Sequence, residues 1–265
     1  MNSYEKLNEA VNQTKSKLCI GLDTDINKLP KHFKKEPESI LDFNREMIEA
    51  TSDLVPAYKI NFAFYERYGI KGFEILKKTF EAIPEDKFTI ADAKRGDIGN
   101  TSKAYAESVF EYFNADSVTV NPLMGYDSVA PFLDFKQKIV FLLGLTSNPG
   151  SADFQQLNTE EGRLYESIFK TSSKWSPPNQ IGYVVGATHP EELRSLRNIT
   201  PDNPFLIPGI GAQGGSLEEV MKANGQSPAL INVSRGVIYA SDEKNYAQIS
   251  RNLADNYKSK MAKFI

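Results

Sequence analysis

"FTIADAKRGDIGNTSKAY", residues 88–105, reads as a strand, a charged turn and the start of a helix. The run FTIADA (88–93) is apolar and rich in strand-forming residues. From Tyr105 onward, Val109, Tyr112 and Phe113 follow at helical spacing, with Asn100 or Thr101 available as the N-cap. Asp92, Lys94 and Asp97 lie between the two patterns. The stretch is one β/α unit with its charges where the strand ends, and its recurrence along the chain decides the fold.

The unit recurs. Strand-like runs stand at 17–22, 57–62, 88–93, 117–121, 138–145, 181–187, 204–210 and 229–234. Several are continuously apolar, as strands buried on both faces are. Helical spacing separates them: Leu41, Phe43, Met47, Ile48 and Leu54; then Tyr65, Phe73, Leu76 and Phe80. Leu217, Val220 and Met221 suggest a short helix, and 246–261 a closing one. Eight strands alternating with helices predict a (β/α)8 TIM barrel, one catalytic domain over residues 1–265. A doubly wound open sheet is the alternative. Thr171 to Gln180, with Pro177-Pro178, reads as an extended loop.

Composition narrows the function. The chain is 40% hydrophobic and 25% charged with a net charge of −3, so no nucleic-acid surface is expected. Its one cysteine, Cys19, rules out an intrachain disulfide and reads as a core residue. The N-terminal residues are polar, and no run of about 18 apolar residues occurs. Cytoplasmic location and no membrane partner are expected. In this context neither Arg95-Gly96-Asp97 nor the Asn12-Gln13-Thr14 sequon carries functional weight.

In a barrel, active sites gather where the strands end. The polar residues there are Asp23, Lys59, Asn61, Asp92, Lys94, Asp97, Asn121, Thr146 and Ser147. The seventh strand runs into GIGAQGG (209–215) and the eighth into Ser234-Arg235-Gly236. Loops after strands seven and eight frequently bind phosphate. Gly209, Gly211, Gly214 and Gly215 let backbone N–H groups approach an anion, with Arg235 supplying charge and Gln213 an amide.

Asp92 and Lys94, two apart on a strand, share a face. With Lys59 and Asp97 they predict an alternating array of four charges. Such networks also serve simply to hold loops. A lysine held between two aspartates stays protonated. That suits stabilising and protonating a carbanion, and opposes Schiff-base chemistry, which needs a free amine. His32 and His189 stand in dissimilar contexts without zinc spacing, and no dinucleotide or Walker fingerprint occurs.

Asp92-Ala93-Lys94-Arg95-Gly96-Asp97-Ile98, with Thr101 following, resembles the signature of the orotidine 5′-phosphate decarboxylases, Asp-x-Lys-x-x-Asp-Ile-x-x-Thr. Asp23 in CIGLD, Lys59 in AYKIN, Ser147 in LLGLTSNPG, PGIG at 208–211 and Ser-Arg-Gly at 234–236 agree in order. DAKRGDIGNT and LTSNPG resemble the longer bacterial (type 2) branch. The resemblance implies a barrel that converts orotidine 5′-phosphate to UMP without cofactor or metal. It implies a homodimer in which Asp97 and Thr101 serve the neighbour's site. Lys94 would donate the proton beside Asp92 and Asp97. Lys59 and Asp23 would contact the ribose, with Asn61 a further substrate-binding candidate. Ser147 would contact the pyrimidine, and Gly209, Gly211 and Arg235 the phosphate. The family's clamping glutamine sits in a longer loop than the one here. Gln213 is its nearest counterpart, and segments 148–160 and 171–180 are other sources of a clamp. Competing functions are a metal-dependent sugar-phosphate barrel, a catalytically silent phosphate-binding barrel, and a flavin- or Schiff-base-dependent barrel.

Overall fold

A computed structural model describes residues 1–211 and 214–265. Eight parallel strands close into a barrel: β1 (Leu18–Gly21), β2 (Ala57–Asn61), β3 (Phe88–Arg95), β4 (Ser117–Val120), β5 (Ile139–Leu145), β6 (Ile181–Val185), β7 (Phe205–Pro208) and β8 (Ala229–Val233). Each pairs with its neighbours in chain order, and β8 pairs with β1. The expected strands are all present, and closure excludes the open sheet.

The period-2 alternation of each strand splits the core in two. Leu18, Ile20, Tyr58, Ile60, Val140 and Leu142 face the outer helices. Cys19, Ala57, Phe88, Ile90, Ile139, Phe141, Val184, Leu206 and Leu230 fill the barrel. Each large apolar side chain so buried contributes about 1.5–3 kcal/mol. The helix Ser3–Thr14 adds Leu7 to the barrel's interior cluster. Its start is fixed by a capping box, in which Glu5 N–H donates to Asn2 and Asn2 N–H to the Glu5 carboxylate.

Three expectations change. The helix after β3 spans Gly99–Glu107, so the residue before it is Ile98, without a side-chain cap; neither Asn100 nor Thr101 caps it. The chain reaches Gly99 with φ +55, a conformation glycine adopts without strain. The helical set from Tyr65 to Phe80 divides between Ala63–Glu66 and Gly69–Ala82. Thr171 and Ser172 complete the helix Leu164–Ser172, and the residues after it lead into the N-terminal end of β6. There Gln180 donates to the carbonyls of Leu133 and Phe135, which precede β5. Segment 171–180 therefore lies at the end of the barrel opposite the strand C-termini and is no source of a clamp.

That end holds two buried cations. The Arg197 guanidinium donates to Asn224 Oδ1 and to the carbonyls of Thr200, Asn203 and Pro228, and lies 3.3 Å from the centre of the Phe205 ring. Burial lowers its pKa to about 9. Lys17 donates to Ser227 O at 3.0 Å. Burial, then the charge of Arg197, lower its pKa to about 8. A folded pKa below the unfolded one means the unfolded chain holds more protons between about pH 8 and 10.4. The cost of charged Lys17 is full below that window and fades as pH rises through it. Lys17→Met should therefore stabilise the fold at pH 7 by about 1–3 kcal/mol, with the gain shrinking by pH 10. Melting curves of both proteins at the two pH values check this; an equal Tm at pH 7 contradicts it.

Candidate active site

Followed toward the strand C-termini, the inward-facing rows turn from apolar to polar. Ala57 gives way to Lys59, Ile90 to Asp92, and Leu230 to Asn232. With β4's Thr119 these residues line a cavity of about 320 Å³ at the barrel mouth, together with Asp23, Asn61, Lys94, Ser147, Gly209 and Arg235.

The charges form a chain. Lys59 Nζ lies 3.0 Å from Asp23 Oδ1 and 2.9 Å from Asp92 Oδ2, and Lys94 Nζ lies 2.6 Å from Asp92 Oδ1. Burial opposes the charge on Lys59, but the two carboxylates outweigh it and hold its pKa above the ordinary lysine value. Burial likewise opposes the Asp92 carboxylate, and the two ammoniums outweigh it, placing its pKa well below the usual range. The Lys59 side chain is 5% exposed and the Lys94 side chain 49%. Lys59 is thus sealed into the barrel wall, while Lys94 reaches into the cavity.

The array differs from the expected one at its ends. Asp23 joins it. Asp97 accepts the Ile98 N–H and forms no ion pair among the described residues. Thr101 is exposed on the helix Gly99–Glu107. Asn61 accepts the Ala63 N–H. Gln213 lies outside the described residues.

Strand geometry alone does not aim Lys94. Ala91 pairs with Val118 and Arg95 with Val120, so four steps along β3 span two along β4. In this bulge Lys94 takes a left-handed backbone, φ +46, which costs a residue with a Cβ roughly 1–2 kcal/mol. Arg95, beyond it, pairs with Glu66 and lies over the rings of Phe62 and Tyr105.

A buried network holds Asp23. Tyr65 OH donates to the Leu22 carbonyl and Tyr239 OH to the Asp23 carbonyl. Asp25 N–H donates to Tyr239 OH, and Thr24 Oγ1 to Asn44 Oδ1. At the end of β5, Thr146 N–H donates to Gln155 Oε1, and Thr146 Oγ1 to Asn148 Oδ1. Segment 148–160 therefore stands at the mouth, with Asn148 lining the cavity. Ser147 also lines it. The backbone of Ser147 packs against Gly186, where a Cβ would fall 2.8 Å from Ser147 N. Gly209 and Gly211 adopt φ +112 and +73 in the turn after β7. Arg235, after β8, is exposed and unpaired among the described residues.

Tyr65, Tyr239, Asn44, Thr119, Asn148, Gln155 and Asn232 were not legible as site residues. Tyr65, Tyr239, Asn44 and Thr119 act there through contacts between separate elements. For Thr119 and Asn232 a period-2 count along β4 and β8 was the available signal. Among the described residues, no group of three His, Cys, Asp or Glu side chains is placed to hold a metal ion. No helix among them is long and apolar enough to cross a membrane.

A closed (β/α)8 barrel with a linked acid–lysine array at its mouth belongs to the barrel enzymes, here the carbon–carbon lyases. The chain belongs to the orotidine 5'-phosphate decarboxylase / HUMPS family, whose pattern matches residues 16–249. It is 49% identical over 266 residues to an orotidine 5'-phosphate decarboxylase of Flavobacterium johnsoniae, covering 98% of this chain and 97% of that protein. It is 51% identical to one of Dehalococcoides mccartyi, with 94% and 93% covered. The solved Leishmania donovani OMP decarboxylase is 36% identical, with a TM-score of 0.84 and 98% and 99% of the two chains covered.

Proposed function

We propose that this chain decarboxylates orotidine 5′-phosphate to UMP in pyrimidine nucleotide biosynthesis, as one cytoplasmic catalytic domain over residues 1–265. The observation that carries the reading is Lys94, half-exposed to the cavity with its ammonium on Asp92. The bond between ring carbon and carboxylate breaks, and its electron pair stays on the ring. CO2 leaves, and the Lys94 ammonium delivers a proton to the carbanion. Water then restores the proton to Lys94. The fixed charges need little reorganisation as the carbanion forms.

The remaining roles are part of the same proposal. Arg235, Gly209, Gly211 and Gln213 bind the phosphate, and that remote binding is used at the transition state. Ser147 contacts the pyrimidine. Asp23 and Lys59 contact the ribose, and Asn61 is a further substrate-binding residue. Asp97 and Thr101 serve the site of a second copy in a homodimer. Exposed Ile98, Leu123 and Met124, on the loops after β3 and β4, and Tyr126, at the start of the helix Tyr126–Leu133, support an interface there. No nucleic acid, membrane, metal or cofactor takes part.

A spectrophotometric assay with orotidine 5′-phosphate, with and without EDTA, tests the reading. Turnover unchanged by EDTA is expected. No turnover of this substrate, or activity lost with EDTA and restored by a divalent ion, would favour a metal-dependent sugar-phosphate enzyme instead.

A further inference from the structure

We infer that Thr119 is the positioning residue that aims Lys94. It stands on β4 between Val118 and Val120, the two residues that mark the edges of the β3 bulge. Its hydroxyl accepts the Lys94 backbone N–H at 3.0 Å and donates to Asp92 Oδ1 at 2.9 Å. Asp92 Oδ1 is also the oxygen that holds Lys94 Nζ. One side chain therefore fastens both ends of Lys94: the backbone directly, the ammonium through Asp92.

The bulge explains the need. Between Ala91 and Arg95 the regular β3–β4 pairing is interrupted. The Thr119 hydroxyl supplies Lys94 N–H with an acceptor there and helps hold a left-handed backbone that a lysine does not favour. Its single proton is committed to Asp92, so it acts through its neighbours. Thr119 is buried at 1% exposure, so its hydroxyl is held in place by the strand around it.

The inference rests on the decarboxylase reading, and wild-type turnover of orotidine 5′-phosphate tests that reading separately. Thr119→Val keeps the shape and removes both bonds. Its kcat should fall about 10–100-fold while KM and UMP affinity stay within about threefold, because a misaimed proton donor affects the reaction more than binding. Thr119→Ser restores the hydroxyl and should stay within about threefold of wild type in kcat. Thr119→Val with wild-type kcat overturns the inference. So does a Val protein that loses UMP binding along with turnover, or a Ser protein as slow as Val, since either marks a general packing role.

Discussion

Lys94→Ala should lower turnover of orotidine 5′-phosphate by about 10⁴-fold or more while leaving UMP binding measurable by calorimetry. Two contributions disappear together. General-acid proton delivery is worth about 10²–10⁴-fold, and a fixed charge facing the developing carbanion about 10²–10³-fold more. Binding survives because Arg235 and the glycine turn lie at another part of the cavity wall. The fold survives because the Lys94 side chain is half-exposed, and Asp92 keeps Lys59 and Thr119 as partners. Turnover near wild type would end the assignment of Lys94. The same protein tests the shared site. Mixed with Asp97→Ala, it should form hybrid dimers in which one site has both residues, restoring about a quarter of full activity at equal amounts. If mixing restores nothing although the chains exchange, Asp97 does not act across a dimer.

Asp92→Asn is expected to harm both stability and catalysis. The carboxylate lies between Lys59 and Lys94, and Lys59 is sealed in the barrel wall. Neutralising Asp92 leaves that buried ammonium with Asp23 alone. Breaking a buried pair costs about 3–5 kcal/mol, of which Asp23 recovers a part. A net loss near 3 kcal/mol lowers the Tm by about 6–12 °C for a chain of this size. Turnover should fall about 10²–10³-fold, since Lys94 loses the oxygen that orients it.

The loss has a pH signature. The folded pKa of Asp92 is depressed, so its stabilisation is present above the unfolded value of about 3.9 and is lost as pH falls through the folded value. The Tm gap between the two proteins should be full at pH 7 and narrow below pH 4. A gap that is absent at pH 7, or independent of pH, contradicts the charge array as a stabilising unit.

Much of this was legible in residue order. Apolar, strand-forming runs such as FTIADA and its seven counterparts mark the strands, and the helical sets between them leave few ways to arrange eight β/α units. The inward rows also announce the mouth, since Ala57–Lys59 and Ile90–Asp92 change from apolar to charged at the strand ends. Helix starts were less legible. Asn100 and Thr101 are good capping residues, yet the helix begins at Gly99, directly after the extended Ile98. Polarity marks 171–180 as a loop without saying which rim of the barrel it crosses, and only the structure puts it at the N-terminal end of β6.

Sequence by itself determined the barrel, the strands, and the chemical types at the mouth: Lys59, Asp92, Lys94 and Arg235. Those follow from local periodicity and from the rule that strand C-termini carry the site. Only the tertiary structure decided the pairing. It put Asp23 on Lys59, left Asp97 off Lys94 within the chain, and set Thr119 under the bulge. Such contacts depend on register between strands and on closure of β8 against β1, and a period read along one strand carries no information about its neighbour's register.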